Sequence, residues 1–341
     1  QRRMGNKIAE TARGTVTPKK TIANAARIIA EGGVVAFPTE TVYGLGANAF
    51  DTSAVARVFE VKNRPTFDPL IVHVADIEQA SACTKQFPEM AQFLADTFWP
   101  GPLTLVMRKA SSIPDLVTAG LPTVAVRMPN HPVALELIRQ AGVPVAAPSA
   151  NPFGALSPTT AEHVREHLGD KVDAILDGGP CAVGVESTIV SLVGEHPVLL
   201  RPGGIAAQTI EQIVGRLERE GGNQKKPSAP GQLASHYAPR TPLYLTTDPG
   251  VPRGDRFGLL AFGTSTGNQS FSAIEVLSQK GSLREAAANL FAALHRLDAM
   301  GLDAILAEPL PERGLGPAIN DRLRRAAAKR ADQNSSNRES R

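Results

Sequence analysis

The segment "KNRP" sets two cations, Lys62 and Arg64, two residues apart and ahead of Pro65. The proline disfavours helix for the residue before it, so the chain extends there. Two cations on an extended segment can face one anion such as a phosphate; the alternative is a solvated basic turn. His73 in "PLIVHV" stands on the strand face opposite Leu70, Val72 and Val74, as a packed ring or as a polar group open to a site. "FPTETVYGLG" (37–46) presents Thr39, Glu40, Thr41 and Tyr43 after a short apolar run, either as a tight turn or as a pocket of short polar groups. Ser149 and Asn151 of "PSAN" and Arg201 of "LLRPG" are further polar and basic groups in loop-forming sequence.

Two common nucleotide motifs are excluded. "GLGANA" fits the spacing G-x-G-x-x-A, but that fingerprint needs its first glycine at a strand end, opening a helix. Here Pro38 to Tyr43 intervene, and no helical pattern starts before Asp51. No G-x-x-x-x-G-K-[ST] segment occurs, which excludes an ordinary P-loop.

The elements that must position these residues alternate between helix and strand, which predicts an α/β class. Thr21 is a candidate cap for a helix bearing Ile22, Ala25, Ala26 and Ile29, ended by Gly32-Gly33. A buried strand follows at 34–37. Asp51 or Thr52 can cap a second helix with Val55, Val58 and Phe59. Residues 69–74 read as a strand, 89–98 as a helix, "VPVAAPSAN" as a strand entering a polar loop, and "STIVSLV" with "PVLLR" as a hairpin. A first domain over 18–216 is predicted, then a Gly-, Pro-, Ser- and Lys-rich linker over 217–241. A small α/β domain over 242–325 carries strands at 242–246, 257–262 and "DAILAEPL", and a helix around 283–300. Residues 326–341 read as a disordered tail.

Composition narrows the function classes. A chain of 341 residues can bury a sizeable core. A net charge of +3 leaves any nucleic-acid contact to local basic clusters such as "DRLRRAAAKR", which could touch tRNA or simply form a solvated helix. Two cysteines are too few for a disulfide framework or a cysteine zinc site, and a reduced, cytoplasmic setting is expected. No apolar run approaches the ~20 residues of a membrane span. No clustered carboxylate motif predicts a metal bound by the protein itself. An RNA-binding module is disfavoured because aromatics make up only 5% of residues and no strand is studded with them.

Seven segments run in one order: "FPTETVYGLG", "KNRP…PLIVHV", "WPGPLT", "VAVRMPNHP", "APSAN", "GVESTIV" and "LLRPG". Together they resemble the YrdC-type threonylcarbamoyladenylate synthases, and "SAPGQLASHYAPR" with a second domain is similar to their long, two-domain form. The resemblance implies a twisted mixed sheet with a basic concave face, followed by a smaller Rossmann-like domain. It implies condensation of L-threonine, bicarbonate or carbon dioxide, and ATP to threonylcarbamoyl-AMP and pyrophosphate. A transferase complex downstream would then modify tRNA beside the anticodon. By the same resemblance Thr41, His73, Arg127, Ala147 and Ser187 bind threonine. Lys62, Arg64, Asp68, Thr123, Ser149, Asn151, Ser157, Arg201, His236 and Tyr237 bind ATP, with Lys62 and Arg64 catalytic and Mg²⁺ carried by the phosphates. The linker is the candidate lid; a passive tether is its alternative. Many relatives have asparagine where this chain has Asp68, so this carboxylate needs a cation: Arg64 or the magnesium. A carbamoyl-transfer domain using carbamoyl phosphate is the competing enzyme class.

Overall fold

The computed structural model describes residues 19–220, 227–247, 256–264 and 271–336. Helix α1 (Lys19–Ala30) buries Ile22, Ala25, Ala26 and Ile29 on one face. Thr21 lies within this helix and is not its cap, because the helix begins at Lys19. The chain continues through β1 (Val35–Phe37), β2 (Gly44–Asn48), α2 (Thr52–Lys62) and β3 (Ile71–His73). Asp51 caps α2, accepting from the amides of Ser53 and Ala54. Next come α3 (Ile77–Ala82), α4 (Glu89–Phe98), β4 (Leu103–Arg108), α5 (Asp115–Thr118), β5 (Thr123–Arg127), α6 (Pro132–Ala141) and β6 (Val145–Ala146). The first domain closes with α7 (Ala161–Leu168), β7 (Ala174–Ile175), β8 (Thr188–Ser191), β9 (Val198–Arg201), α8 (Ala207–Val214) and β10 (Glu218–Arg219).

These ten strands form one mixed sheet in the order β10-β9-β8-β4-β5-β3-β6-β2-β1-β7. The segment "GLGAN" is a strand and not a turn: β2 pairs antiparallel with β1, Gly46 opposite Val35. Its glycine serves packing, since a Cβ on Gly46 would come within 2.6 Å of both Phe37 and Val145. Along β3 the period of two holds. Leu70, Val72 and Val74 enter the main core with Leu103, Leu105, Val124 and Val126. On the other face Ile71 packs with Val106, Ala125 and Ile189, and Ala229 of the linker covers them.

The second domain comprises β11 (Leu243–Leu245), β12 (Phe257–Ala261), β13 (Ala273–Val276), α9 (Leu283–Asp298), β14 (Ala304–Ala307) and α10 (Gly316–Ser336). Its four strands are all parallel, in the order β11-β14-β12-β13. Strand β13 is absent from the sequence expectation; it is a partly exposed strand at the sheet edge. Helix α10 continues past residue 325, so 326–336 is helical and not irregular tail; residues 337–341 lie outside the described residues. The apolar core of this domain, around Leu290, Phe291, Leu294 and Ile305, also takes in Val42, Leu156 and Val185 of the first domain and Tyr237 of the linker. Residues 221–226 of the linker lie outside the description, but Ala229, Pro230, Gly231, His236, Tyr237 and Ala238 are buried. Cys83 and Cys181 are buried free thiols, and among the described residues no helix is long and apolar enough to cross a membrane.

Candidate active site

Parallel pairing of β3 with β5 sets His73 beside Arg127 in register. Both are buried and border a cavity that Thr39 and Thr41 enter from the β1–β2 connection. Thr39 shapes that connection: its Oγ1 donates to the Val42 carbonyl (2.6 Å) and accepts from the amides of Thr41 and Val42. Arg127 Nη1 donates to Thr41 Oγ1 at 2.9 Å, and its Nη2 lies 2.7 Å from Glu40 Oε1. This ion pair is close but poorly aligned, because neither Glu40 oxygen accepts a hydrogen bond among the described residues. Burial, and then the Arg127 charge, push the His73 pKa down to about 3, so the ring is neutral at pH 7. Tyr43 points elsewhere: its hydroxyl donates to the Gly179 carbonyl at 2.8 Å inside an apolar cluster.

The basic side of the cavity is held by main-chain oxygens. Arg64 donates to the carbonyls of Asp68 (3.2 Å) and Pro69 (2.9 Å), and its Nη2 sits 2.9 Å from Asp68 Oδ2. Burial raises the Asp68 pKa, although Arg64 opposes the shift. Lys62 is buried beneath the 149–151 loop, its Nζ donating to the carbonyls of Ser149 and Asn151. Burial and then the Arg64 charge lower the Lys62 pKa well below its ordinary value. Arg201 donates to the Ser187 carbonyl (2.9 Å), Ser187 Oγ (3.2 Å) and the Pro230 carbonyl (3.0 Å). Among the described residues it has no carboxylate within ion-pair distance, which leaves a buried positive charge met only by neutral oxygens. Such a charge favours an anionic ligand.

The linker supplies the remaining wall through Pro230, Gly231, His236 and Tyr237. Gly231, at φ +80°, admits the tyrosine: a Cβ there would stand 2.3 Å from the Tyr237 hydroxyl. The His236 ring meets Phe153 edge-on at 5.7 Å.

Two family models match the chain. One, Sua5–YciO–YrdC, described under telomere recombination, covers residues 27–203; the other, the threonylcarbamoyl-AMP synthase C-terminal domain, covers 205–328. A threonylcarbamoyl-AMP synthase of Bacillus subtilis is 46% identical over 91% of this chain and 93% of its own length. The chain belongs to the Sua5/YrdC family in its two-domain form. Crystalline P. abyssi Sua5 complexed with L-threonine superposes with a TM-score of 0.85 at 43% identity, over 92% of this chain and 96% of that one. A P. abyssi Sua5 variant with an adjacent His-Tyr pair replaced by alanine gives 0.84 at 42% identity, over 92% and 94%.

Within this Sua5-type site, Thr41, Arg64, His73, Arg127, Ala147, Ser149, Ser187, Arg201, His236 and Tyr237 line one cavity. Lys62, Asp68, Thr123, Asn151 and Ser157 do not line it. Lys62 and Asn151 brace each other under the loop, and Asp68 stands behind Arg64. Thr123 opens β5 opposite Arg108, and Ser157 donates to Glu186 Oε1 at 2.6 Å. The sequence reading assigned no role to Glu40 and Glu186, which hold Arg127 and Arg322 respectively. Both stand inside segments that carried the resemblance, "FPTETVYGLG" and "GVESTIV".

Proposed function

We infer that this chain is a threonylcarbamoyl-AMP synthase, joining L-threonine, carbon dioxide drawn from bicarbonate, and ATP. The observation that carries the reading is the single cavity in which Thr41, His73 and Arg127 face Arg64, Ser149 and Arg201. Threonine sits at the first end. Arg127, an always-charged planar fork, takes its carboxylate, while Thr41, Ser187 and the neutral His73 border the amine and hydroxyl. The nucleotide sits at the second end, with its phosphates against Arg64 and Arg201 and its remaining polar groups toward the 149–157 loop. Lys62 reaches the phosphates by releasing the Ser149 and Asn151 carbonyls when ATP enters.

The amine nitrogen adds to the carbon of carbon dioxide and loses a proton, giving a carbamate. A carbamate oxygen then attacks the α-phosphorus, and the bond to pyrophosphate breaks. Arg64 and Arg201 stabilise the charge growing on that leaving group, and Mg²⁺ arrives with the substrate on the ATP phosphates. Both carbamate and mixed anhydride are lost to water, so the 227–241 segment with His236 and Tyr237 acts as the lid. The product serves a transferase complex that modifies tRNA, in a cytoplasmic setting. Pyrophosphate release from ATP tests the reading: it should need both threonine and bicarbonate. Release that needs neither, or release driven by carbamoyl phosphate, would replace it with another class.

A further inference from the structure

A cleft of about 630 Å³ lies between the two domains, and it shares no lining residue with the substrate cavity. That volume is in the range of small-molecule pockets. Phe98, Val183 and Ile205 of the first domain and Leu283 and Leu315 of the second border the cleft. Each is only half-buried, so both domains leave apolar surface in water there. Arg284, in the first turn of α9, is the one charged side chain on this lining among the described residues. It is exposed and, among the described residues, makes no hydrogen bond or ion pair. Its charge also opposes the dipole of its own helix, and an anion beside it would offset that. Apolar walls with one unpaired cation complement a molecule that has an apolar body and a single anionic end.

One wall of the cleft is tied to the substrate cavity. Gly204 packs into this wall so closely that a Cβ would come within 2.8 Å of Val183 and 2.9 Å of Pro102. The same three stretches bond to residues at the threonine end of the cavity. The carbonyl of Gly101, next to Pro102, accepts from Arg127 Nε at 3.3 Å. The Val183 amide donates to the Glu40 carbonyl at 2.7 Å, and the Gly204 amide donates to the Glu186 carbonyl at 2.9 Å. Arg127 and Glu186 line the cavity, and Glu40 pairs with Arg127. We propose that the cleft binds an amphipathic monocarboxylate, its apolar body between the domains and its carboxylate on Arg284, and that filling the cleft changes the affinity for threonine. The ligand packs directly on Val183 and Gly204, so its binding energy differs between positions of that wall, and Arg127, Glu40 and Glu186 are tied to it. The site stands on the cleft itself; the coupling rests on the threonine reading above.

Calorimetric titration of the full chain tests this with octanoate as the probe and its uncharged amide, octanamide, as the control. Threonine is titrated with and without octanoate. Octanoate should bind saturably, one per chain. Octanamide, and octanoate on Arg284→Gln, should bind several-fold more weakly. Thr209→Phe, which sets a ring in the cleft from an exposed position, should abolish binding. Saturating octanoate should shift the Kd for threonine by about fivefold or more, and threonine should shift the Kd for octanoate by the same factor. No saturable binding, or equal binding to the parent and to Thr209→Phe, overturns the site. Equal binding of octanoate and octanamide overturns the carboxylate class. A threonine Kd that octanoate leaves unmoved overturns the coupling while the site stands. A chain that binds octanoate but no threonine overturns the function proposed above and leaves the site standing. Self-association of the parent that Thr209→Phe abolishes would give the cleft to a second copy of this chain instead. If Thr209→Phe does not fold, Arg284→Gln decides.

Discussion

Replacing Asp68 by asparagine removes one charge of a buried pair and little else, so its consequences can be worked from the contacts. Arg64 loses a carboxylate at 2.9 Å but keeps the carbonyls of Asp68 and Pro69, at 3.2 and 2.9 Å. Neither Asp68 carboxylate oxygen accepts a hydrogen bond among the described residues, so the loss is the charge attraction of a close but poorly aligned pair, part of which the asparagine amide dipole keeps. Burial also penalises the ionised carboxylate, as its raised pKa records. The net loss is therefore about 1–3 kcal/mol, below the range for stranding a buried charge outright. For a domain of this size each kcal/mol moves the midpoint by about 2–4 °C, so melting should fall by roughly 2–12 °C. With its carboxylate neutralised, Arg64 has more charge to offer a phosphate. The KM for ATP should stay level or drop, and the magnesium concentration for half-maximal rate should not move. Steady-state kinetics over ATP and magnesium series, together with thermal melts, measure all three quantities. A several-fold rise in the magnesium requirement would show that Asp68 serves the metal, and would refute the pairing with Arg64 as its role.

Arg64→Ala should weaken ATP use by about 10- to 150-fold, the loss of one charge-assisted contact, and should also lower the melting temperature because Asp68 stays buried without its cation. Lys62→Ala should do the same and also lower the melting temperature, because it releases the carbonyls of Ser149 and Asn151; unchanged melting would mean that Lys62 does not brace the loop. Gly46→Ala should cost about 1–3 kcal/mol through collision with Phe37 and Val145, while the folded fraction keeps its kcat. His163 on α7 and His295 on α9 stack at 3.8 Å between the domains, and burial lowers their pKa values to about 4 and about 3. Below the unfolded value of 6.5 the unfolded chain binds protons that the folded chain refuses. Stability should therefore fall as pH drops from 6.5 toward those values, by up to about 1.4 kcal/mol per pH unit for each proton. Denaturant titrations at stepped pH should show a shallower fall in His295→Gln, and an unchanged slope would count against the histidine stack.

Much of the first domain could be read from periodicity and caps. The faces of β3, the Asp51 cap and the β8–β9 hairpin all follow from apolar spacing and local side-chain chemistry. Strand β2 could not, because "GLGAN" lacks the bulky residues that mark strands; its glycines make room for Phe37, a contact set by the fold. The cavity was legible only through the resemblance. Thr41, His73, Arg127 and Ser187 come from separate strands or loops, and no local pattern brings them together. That Lys62 braces the 149–151 loop was not legible, because nothing near it in sequence shows the main-chain oxygens it meets there. Composition alone hides the contacts of the linker and of α10. A Pro-, Gly- and Ser-rich segment looks free until Tyr237 is seen in the core of the second domain, and a basic helix looks solvated until Arg322 is found beneath it.

That one cavity joins three substrates is tested most directly by isotope labelling. Purified protein is given labelled threonine, labelled bicarbonate and adenine-labelled ATP, and the products are separated at once. A single adenylated compound should carry all three labels in equal amounts, with one pyrophosphate released for each, and omission of either threonine or bicarbonate should abolish both. Pyrophosphate released at the same rate without threonine, or an adenylated product free of the bicarbonate label, would contradict it.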